Sequence, residues 1–295
     1  MLPAVIDQDV LLLLRNVDGT PYIPPIEDAL RSAWPGTVLS ANYRQVTMAL
    51  GAQFGVRIDG RAVTPARVYA RMCGTPMGSA VARALEMLGS AVVNSTASVA
   101  LADSKWHTAM ALAGAGLPVP DQQLIACSDG PADLATIGAL GWPLVLKSNS
   151  GFGGQEVWLV ADQDQLRARL DARPRPDTYL AQQFRPEAAG VDTRILVMGG
   201  QVVAAMQRRS STGDFRSNLS QGGVATRHAP SAGELALAVA AAAAVGLRIA
   251  GIDLLTTTDG PMIIEVNANP SLAAHHALGP DDAVYERLAA AVIEL

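Results

Sequence analysis

The spacing of apolar segments differs between the first and the later part of this 295-residue chain. This difference restricts the fold more than any other feature of the sequence. In the first ninety or so residues, short apolar runs alternate with amphipathic stretches, as in VLLLLR, PPIEDALRSAW, TVLSA, SAVARALEMLG and AVVN. This alternation predicts a small parallel sheet covered by helices. From residue 143 onward, strand-like runs are joined by glycine turns, which predicts antiparallel hairpins instead of crossovers.

We therefore predict a protein of mixed α/β and α+β class in three lobes, with a ligand site in a cleft between lobes. The predicted parts are an N-terminal parallel α/β domain over residues 1–95, a central lobe with a glycine-rich flap over 96–184, and a C-terminal lobe over 185–295. An alanine-rich stretch at 238–247 predicts a helix that packs on a sheet through small residues.

Composition excludes several classes of function. Apolar residues make up 49% of the chain and aromatic residues only 4%, which indicates aliphatic cores. The net charge of -5 comes without any basic run, so we expect no nucleic-acid partner. The longest early apolar run, residues 10–14, is too short for a signal peptide or a membrane span. Cys73 and Cys127 lie far apart, which predicts neither a zinc site nor a disulfide and fits a cytoplasmic protein.

A glycine-rich loop, SGFGG at residues 150–154, raises the question of phosphate binding. Walker loops place their lysine after the glycines and before a helix, and kinase loops precede their lysine strand. Here Lys147 precedes the glycines and the strand EVWLV follows, so the order excludes both families. The predicted structure is a β-hairpin near Lys147 whose tip closes over phosphates through exposed backbone N–H groups at Gly151, Gly153 and Gly154. An ordinary hairpin with a surface lysine is the alternative.

Gly199 and Gly200 predict a second hairpin with a two-residue turn. In that hairpin, two residues face one another when their numbers sum to 399, so that Asp192 lies opposite Gln207 and Arg194 lies opposite Ala205. In that register one face is polar and carries Asp192, Arg194, Gln207 and Arg209. The polar face is either a solvated salt-bridge ladder or the wall of an anion-binding pocket. The segment DFRSN favours the pocket because it adds three donors, Arg216, Ser217 and Asn218.

The apolar run in MIIEVNANPS, residues 262–271, ends in polar residues that a buried strand does not favour. Glu265 and Asn267 are two apart and therefore point to the same side, and the preceding strand carries Asp253. Three oxygen ligands on adjacent strands suit Mg²⁺. The site requires Asp253 to lie opposite Glu265, for which we predict a connecting loop of odd length. A carboxylate paired with an arginine is the alternative, and neither His275 nor His276 is expected to bind metal.

Seven segments in order resemble the ATP-grasp ligases of the RimK type, the family of the ribosomal protein S6 glutamate ligase. They are EMLGSAVVNS, DSKWHTAMALAGAGLPVP, PLVLKS, DTRILVMGGQVVAAMQRR, GDFRSNLSQGG, GIDLL and EVNANPS. The resemblance extends from about Arg71 to about Leu272. It implies a three-lobed ATP-grasp fold with an N-terminal pre-ATP-grasp domain, and ATP held between the last two lobes.

The resemblance also implies roles for individual residues. Positions that contact the nucleotide are matched by Lys105, Lys147, Gly151, Gly153, Gly154, Gln183, Phe184, Asp192, Arg216, Ser217 and Asn218. Positions that hold magnesium are matched by Asp253, Glu265 and Asn267. The implied catalytic set is Arg209, which resembles the arginine that faces the transferred phosphoryl group, together with Lys147 and Arg194.

Three departures from the family pattern stand out. Gln183 replaces a usual glutamate, the flap reads SGFGGQ in place of EGTQGIG, and NANPS replaces NASPG. The last two border the acceptor of the reaction, so the identity of the acceptor is left open.

The implied activity is ATP-dependent formation of an amide bond through an acyl phosphate, with ATP and one or two Mg²⁺ ions as cofactors and Mn²⁺ as an alternative ion. The expected partners are an amino acid, with glutamate favoured, and an amine- or carboxyl-bearing acceptor such as a peptide or protein terminus. The same chemistry on a small metabolite or biosynthetic peptide, and a nucleotide-binding regulator without catalysis, are the alternatives. A dehydrogenase is not favoured because no GxGxxG opens a helix in the first βα unit. A homo-oligomeric state is left open.

Overall fold

The computed structural model of the protein describes residues 7–15, 23–51, 54–71, 75–126, 134–151, 156–172, 178–279 and 283–294. Cys73, Cys127, Gly153 and Gly154 lie outside these ranges. The described residues form one parallel sheet and three antiparallel sheets, which with their helices confirm the predicted mixture of α/β and α+β structure. Within these ranges, no helix has both the length and the apolar character needed to cross a membrane.

The N-terminal part is built on a parallel sheet. Its elements are β1 (Asp7–Arg15), α1 (Ile23–Ala33), β2 (Thr37–Asn42), β3 (Val46–Ala49), β4 (Gly55–Ile58), β5 (Arg61–Val63), β6 (Pro65–Ala70), α2 (Pro76–Met87) and β7 (Ala91–Val93). The parallel order β2-β1-β6-β7 confirms the prediction from strand and helix alternation. No pattern in the sequence predicts the small antiparallel sheet β3-β4-β5, because its strands are only three or four residues long.

The central part is built on an antiparallel sheet in the order β10-β9-β11-β8. Its elements are α3 (Thr96–Ala102), α4 (Lys105–Gly114), β8 (Gln122–Ala126), α5 (Leu134–Gly138), β9 (Leu144–Ser148), β10 (Val157–Val160), α6 (Gln163–Asp171) and β11 (Thr178–Gln183). One face carries Leu144, Leu146 and Tyr179, which pack with residues of α5 and α6. Because side chains alternate along each strand, the other face carries Lys147 and Gln182.

The C-terminal part is built on a five-stranded antiparallel sheet in the order β14-β13-β12-β15-β16. Its elements are β12 (Val191–Met198), β13 (Gln201–Arg209), β14 (Val224–Arg227), α7 (Ala232–Val245), β15 (Ile249–Thr257), β16 (Gly260–Asn267), α8 (Leu272–Leu278) and α9 (Val284–Ile293). Short 3-10 helices cover Tyr43–Gln45, Pro186–Ala188 and Leu219–Gln221.

Helix α7 is the alanine-rich helix predicted from the sequence, and it covers one face of the C-terminal sheet. Ser231 and Glu234 form a capping box at its start, and Gly246 ends it in the left-handed conformation. The small side chains of Ala238 and Ala241 are fully buried against Ile252 and other sheet residues, which confirms the predicted packing. Helix α7 therefore covers one face of the C-terminal sheet, and the buried charged residues of the sheet point to the opposite face.

Helix α9 joins the N-terminal and C-terminal parts into one apolar core. It contacts α1 and β6 of the first sheet and also β12 and β13 of the last. Leu288 of α9 and Leu30 of α1 are fully buried in the same cluster as Leu196 of β12. The N-terminal sheet therefore packs beside the sheet that carries the predicted metal site. The boundaries at residues 95 and 184 stay predictions.

Candidate functional site

A cavity of about 250 Å³ lies between the central and C-terminal sheets. The central sheet contributes Lys147 and Gln182, and the C-terminal sheet contributes Asp192, Arg208 and Asp253. Most of the predicted site residues within the described ranges line it, namely Lys105, Lys147, Gly151, Gln183, Phe184, Asp192, Arg216, Ser217, Asn218, Asp253 and Glu265. Three others do not line it, namely Arg194, Arg209 and Asn267. Gly153 and Gly154 fall outside the described residues.

Lys147 is a buried cation on the central wall of this cleft. Its Nζ donates to Oε1 of Gln182 on the neighbouring strand at 2.5 Å. Burial lowers the pKa of Lys147 to about 8, while the charge of Glu265 works in the opposite direction. An anion that enters the cleft would favour the charged form again. Gln182 was not among the predicted residues, and its one signal is a polar side chain at a cleft-facing position of a mostly apolar strand.

The predicted hairpin at the glycine loop is present, with β9 antiparallel to β10 and Lys147 opposite Val157. At its base the main-chain carbonyl of Gly151 accepts from Nζ of Lys105 at 2.8 Å. Lys105 is the first residue of α4, and its Nζ also lies 3.8 Å from Oε1 of Glu265. A cation at a helix N-terminus is unfavourable for the helix dipole, so its position is explained better by the cleft than by the helix.

Gln183 and Phe184, which the resemblance implies as nucleotide contacts through their backbone, lie at the end of β11 and directly after it. The N–H of Gln183 donates to the carbonyl of Asp121 at 2.9 Å, so this N–H is already used inside the protein. Phe184 makes an edge-to-face contact with Phe215, whose ring centroid is 6.2 Å away on the opposite wall. Phe215 lines the cleft but was not a predicted site residue. The two rings add an aromatic surface to a cleft that both charged and aliphatic side chains line.

The predicted register of the Gly199–Gly200 hairpin is correct at the turn and wrong beyond it. Val197 pairs with Val202 and Met198 with Gln201, which agrees with the sum of 399. The register then shifts, and Asp192 pairs with Arg208. A one-residue irregularity turns every later side chain of that strand to the opposite face. Consequently Arg208, and not Arg209, shares the cleft face with Asp192 and Arg194, and Gln207 does not.

Arg208 lies at the centre of a buried network of alternating charges. Its Nε donates to Oδ1 of Asp192 at 2.7 Å, and its Nη2 donates to Oδ2 of Asp192 and, at 2.9 Å, to Oδ2 of Asp253. Arg194 donates to both oxygens of Asp253 at 2.6 Å. Burial by itself raises the pKa of Asp253, but the charges of Arg194 and Arg208 outweigh it and lower the pKa to about 2.

Arg209 has a different environment. Its side chain is exposed, and its Nη2 donates to Oε1 of Gln207 at 3.4 Å on the face away from the cleft. The geometry therefore does not favour Arg209 as the arginine that faces a transferred group, and it places Arg208 in the cleft instead. Alternation counted from the turn does not predict Arg208, because the shift of register has no signal in the sequence.

The terminal hairpin brings Asp253 opposite Glu265, as predicted, although the loop is not of odd length. β15 ends at Thr257 and β16 begins at Gly260, which leaves a two-residue loop. The register near the turn pairs Leu254 with Ile263, and a shift between Asp253 and Leu254 then moves Glu265 into place. A bulge thus produces the facing pair that the odd loop was predicted to supply.

The terminal hairpin carries the oxygen atoms that were predicted to bind a divalent ion. Glu265 is partly exposed in the cleft, and Asn267 lies opposite Gly251 on the same ladder, two residues further along. Asp253 is buried, and three of the about four lone-pair positions of its carboxylate already accept from Arg194 and Arg208. Glu265 and Asn267, with the remaining position of Asp253, form an oxygen set that suits Mg²⁺. The predicted alternative for Glu265 was pairing with an arginine, but the cation beside Glu265 is Lys105; the carboxylate that pairs with arginines is Asp253.

The loop that carries Arg216, Ser217 and Asn218 is held against the cleft by a tight backbone approach at Gly190. The N–H of Gly190 donates to the carbonyl of Phe215 at 2.8 Å. Arg216 lies against Asp214, whose pKa is lowered by the side-chain hydrogen bond from Arg216. Ser217 is buried beside Asp192 and hydrogen-bonds to its carboxylate. The donors predicted from DFRSN therefore do line the cleft.

Replacing Gly190 with alanine is expected to lower the free energy of unfolding by about 2–4 kcal/mol. Its φ is +70°, and an added Cβ would lie 2.8 Å from the carbonyl oxygen of Asp214. Gly200→Ala is the matched control, since its φ is +77° and nothing lies within 4 Å. We expect about 1 kcal/mol there, from backbone strain alone. Urea unfolding measures both, and equal losses would contradict the importance of the close approach.

The departure at NANPS does not alter the cleft wall directly. The amide of Asn269 donates to the main-chain carbonyl of Arg71 at 2.7 Å, and Nη2 of Arg71 donates to the carbonyl of Pro270 at 3.3 Å. Asn269 therefore faces the N-terminal sheet. The loop that follows Asn267 is tied to the N-terminal part of the chain.

Comparison with known proteins agrees with this geometry. A model of the RimK-like ATP-grasp domain matches residues 102–284. A probable alpha-L-glutamate ligase of Sodalis glossinidius is 41% identical over 206 residues, which cover 70% of this chain and 69% of that protein. A ribosomal protein bS6--L-glutamate ligase of Escherichia coli O139:H28 is 38% identical over 196 residues, 66% of this chain and 65% of that one. The aligned segments thus span about two thirds of each relative.

A solved structure has the same fold over nearly the whole chain. It is the ATP-grasp ligase PsnB complexed with a minimal precursor, Mg and ADP, with a TM-score of 0.72 and 22% identity, covering 98% of each chain. At this identity the likeness demonstrates the fold and nothing more. Since the family model covers more than half of the sequence and the relatives are about 40% identical, the chain belongs to the RimK-like ATP-grasp family.

Proposed function

We propose that this protein is an ATP-dependent ligase that joins a carboxylate to an amine through an acyl phosphate. The observation that carries the proposal is the charge arrangement in the cleft. Cations from one wall, Lys147 and Lys105, face carboxylates from the other, Asp253 and Glu265, with Arg208 beside them. A phosphoryl transfer needs alignment and charge neutralisation more than covalent chemistry from the protein, and this cleft supplies both.

Different residues of the cleft would bind the phosphates, the base and the metal ion. Lys147 and Lys105 would bind phosphate oxygens, and the loop with Arg216, Ser217 and Asn218 would close the same end of the cleft. Phe184 and Phe215 would hold the base against an apolar surface. Glu265, Asn267 and Asp253 would hold Mg²⁺, which when bound neutralises phosphate charge and polarises the phosphoryl oxygens.

The reaction balances without any further reactant. A carboxylate oxygen attacks the γ-phosphorus of ATP and displaces ADP, which leaves an acyl phosphate. An amine then attacks the acyl carbon, phosphate leaves, and the amine loses a proton. Arg208, which lines the cleft beside Asp253, would stabilise negative charge near the transferred group, the role that the resemblance implied for Arg209. Exclusion of water from the cleft would protect the acyl phosphate from hydrolysis.

The proposed substrates are an amino acid, with glutamate favoured, and a peptide or protein terminus. Relatives at about 40% identity carry the name glutamate ligase, and a structural neighbour holds a peptide precursor. A small metabolite or a biosynthetic peptide as acceptor is the second candidate, because the changes in the flap and in NANPS leave the identity of the acceptor open. A catalytically silent nucleotide-binding regulator is disfavoured, because both lysines and the metal-binding oxygens are retained.

The test is a screen of the twenty amino acids, with and without peptide acceptors, for ATP-dependent release of ADP, followed by the mass of the product. We expect ADP release that requires both glutamate and an acceptor, with a product heavier by glutamyl residues. ATP and Mg²⁺ binding without any ADP release across the screen would favour the silent regulator. The use of Mn²⁺, the number of ions, the oligomeric state and the cytoplasmic location stay predictions.

Nucleotide binding is expected to take up a proton at Lys147. In the free protein burial holds its pKa at about 8, so about half of the Lys147 side chains are neutral at pH 8. Bound phosphates would raise this pKa, and binding at pH 8 would then take up about half a proton. The pKa of Lys147 is raised only in the bound state, so the protein should bind nucleotide best when Lys147 is charged. The affinity for nucleotide should therefore be highest below pH 8 and fall by up to about tenfold per pH unit above it.

Calorimetry of ADP binding in buffers of different ionisation enthalpy measures this uptake. Lys147→Met is expected to remove both the proton uptake and the fall in affinity between pH 8 and 9. Binding by the wild-type protein that is independent of pH over this range would contradict a phosphate contact at Lys147.

A further inference from the structure

Asn94 is a buried side chain that crosses from the N-terminal sheet to the C-terminal sheet. It follows β7 directly and is only 4% exposed. Its Oδ1 accepts from the main-chain N–H groups of Arg248 and Ile249, each at 2.9 Å. Its Nδ2 donates to the carbonyls of Ile249 at 2.8 Å and Ala268 at 3.0 Å. All four hydrogen-bonding positions of one amide are therefore used across the boundary between the two sheets.

The segments that Asn94 contacts flank the proposed metal site. Ile249 begins β15, which carries Asp253, and Ala268 follows Asn267 directly. The amide of Asn267 lies 3.4 Å from the carbonyl of Gly251, its partner on β15. The carbonyl of Ala268 belongs to the planar Ala268–Asn269 peptide unit, so the bond from Asn94 holds the chain one peptide unit beyond Asn267 and limits the directions that Asn267 can take.

The space around this turn leaves little freedom for adjustment. A Cβ on Gly251 would lie 2.9 Å from Cβ of Pro270, so the loop after Asn267 packs tightly over β15. Asn269 and Arg71 add two more hydrogen bonds between this loop and the N-terminal part. Asn94 differs from these because it contacts both the first residue of β15 and the residue that directly follows β16.

We propose that Asn94 is a positioning residue that holds Asn267 in the orientation needed to bind a divalent cation together with nucleotide. The inference rests on the proposed function and extends it to the N-terminal part of the chain, whose described residues include none of the proposed ligands. Hydrogen-bond partners of metal ligands are typically worth about 10–100-fold in metal affinity or activity. We expect an effect of that size through the contact to Ala268.

The two ends of the amide can be separated by mutation. Asn94→Asp retains acceptors for the N–H groups of Arg248 and Ile249, but an ionised carboxylate cannot donate to Ala268. Asn94→Ala removes all four contacts. Asn42→Ala is a matched control, because Asn42 is 3% exposed at the end of β2, on the opposite edge of the same sheet, and its side chain accepts locally from the N–H of Arg44.

The experiment is calorimetric binding of ADP to the full-length protein in excess Mg²⁺ and in EDTA, with thermal unfolding of each variant as a check of folding. We expect Mg²⁺ to increase the affinity of the wild-type protein and of Asn42→Ala by the same factor. Both Asn94 variants should lose about tenfold or more of this increase, with unchanged affinity in EDTA. If Asn94→Ala does not fold, Asn94→Asp, which keeps two of the bonds, decides the result.

Three outcomes would overturn the inference. An undiminished Mg²⁺ effect in folded Asn94 variants would reduce Asn94 to a purely structural contact, and so would an equal loss of affinity in Mg²⁺ and in EDTA. A wild-type protein whose ADP binding does not respond to Mg²⁺ would end the inference by removing the metal site from the proposed function. The last result is separable from the first two because it concerns the wild-type protein alone.

Discussion

Replacing Arg208 with methionine is expected to lower the free energy of unfolding by about 3–5 kcal/mol, whereas the same change at Arg209 should alter it by less than about 0.5 kcal/mol. Arg208 is 2% exposed and bonds to two buried carboxylates, Asp192 and Asp253. Without it, Asp192 loses both hydrogen bonds from the guanidinium and stays buried. Asp253 keeps its contacts with Arg194.

The pH dependence of this loss provides an internal check. Burial already raises the pKa of Asp192, and removal of Arg208 would raise it further. A carboxyl whose folded pKa lies above its unfolded value contributes stability at low pH that is lost as the pH rises through the folded pKa. The deficit of Arg208→Met relative to the wild-type protein should therefore grow as the pH rises above the usual pKa range of an aspartate.

Urea unfolding of the two arginine variants measures both effects, and Arg208→Lys is a third comparison. Lysine carries the charge but cannot make the planar, two-pronged contact with Asp192, so we expect it to recover only part of the loss. A large loss at Arg209 with little change at Arg208 would mean that the register of the hairpin is the one predicted from alternation, and that the network described above is absent.

Glu265→Gln is expected to lower the turnover of ATP-dependent ligation by about 100-fold to 1000-fold, by analogy with the loss of one electrostatic stabiliser of a transition state. The amide keeps the shape of the side chain and removes its negative charge. Glu265 is partly exposed in the cleft, with Nζ of Lys105 at 3.8 Å. Stability should therefore change by less than about 1 kcal/mol, since exposed ion pairs contribute little.

The control for this prediction is Glu286→Gln, because Glu286 is exposed on α9 and does not line the cleft. Steady-state release of ADP, with the amino acid and acceptor identified in the screen, measures turnover. The required Mg²⁺ concentration should rise in Glu265→Gln and stay unchanged in Glu286→Gln. Wild-type turnover in Glu265→Gln would exclude Glu265 as a ligand of the catalytic ion.

The two hairpins show why the site was predictable in part. Residue types and their order were enough to select Asp192, Arg194, Asp253 and Glu265, because charged side chains within apolar strands need a partner in a buried sheet. The exact pairing was not predictable, since each hairpin contains a shift of register away from its turn. In the Gly199–Gly200 hairpin the shift brings Arg208 instead of Arg209 to the cleft face. In the terminal hairpin the shift places Asp253 opposite Glu265, a pairing that a two-residue loop without a shift would not give.

The sequence by itself determined the class of the fold, the order of its parts and the family, because apolar periodicity and an ordered series of motifs are properties of the chain alone. Only the tertiary structure decided which arginine enters the cleft, how Asp253 is held, and that Asn94 connects the N-terminal sheet to the hairpin that carries Asp253 and Glu265. These depend on contacts between residues as many as 174 positions apart and on local bulges. A bulge costs little locally, so it leaves no clear signal in residue composition, yet it reverses the direction of every side chain beyond it.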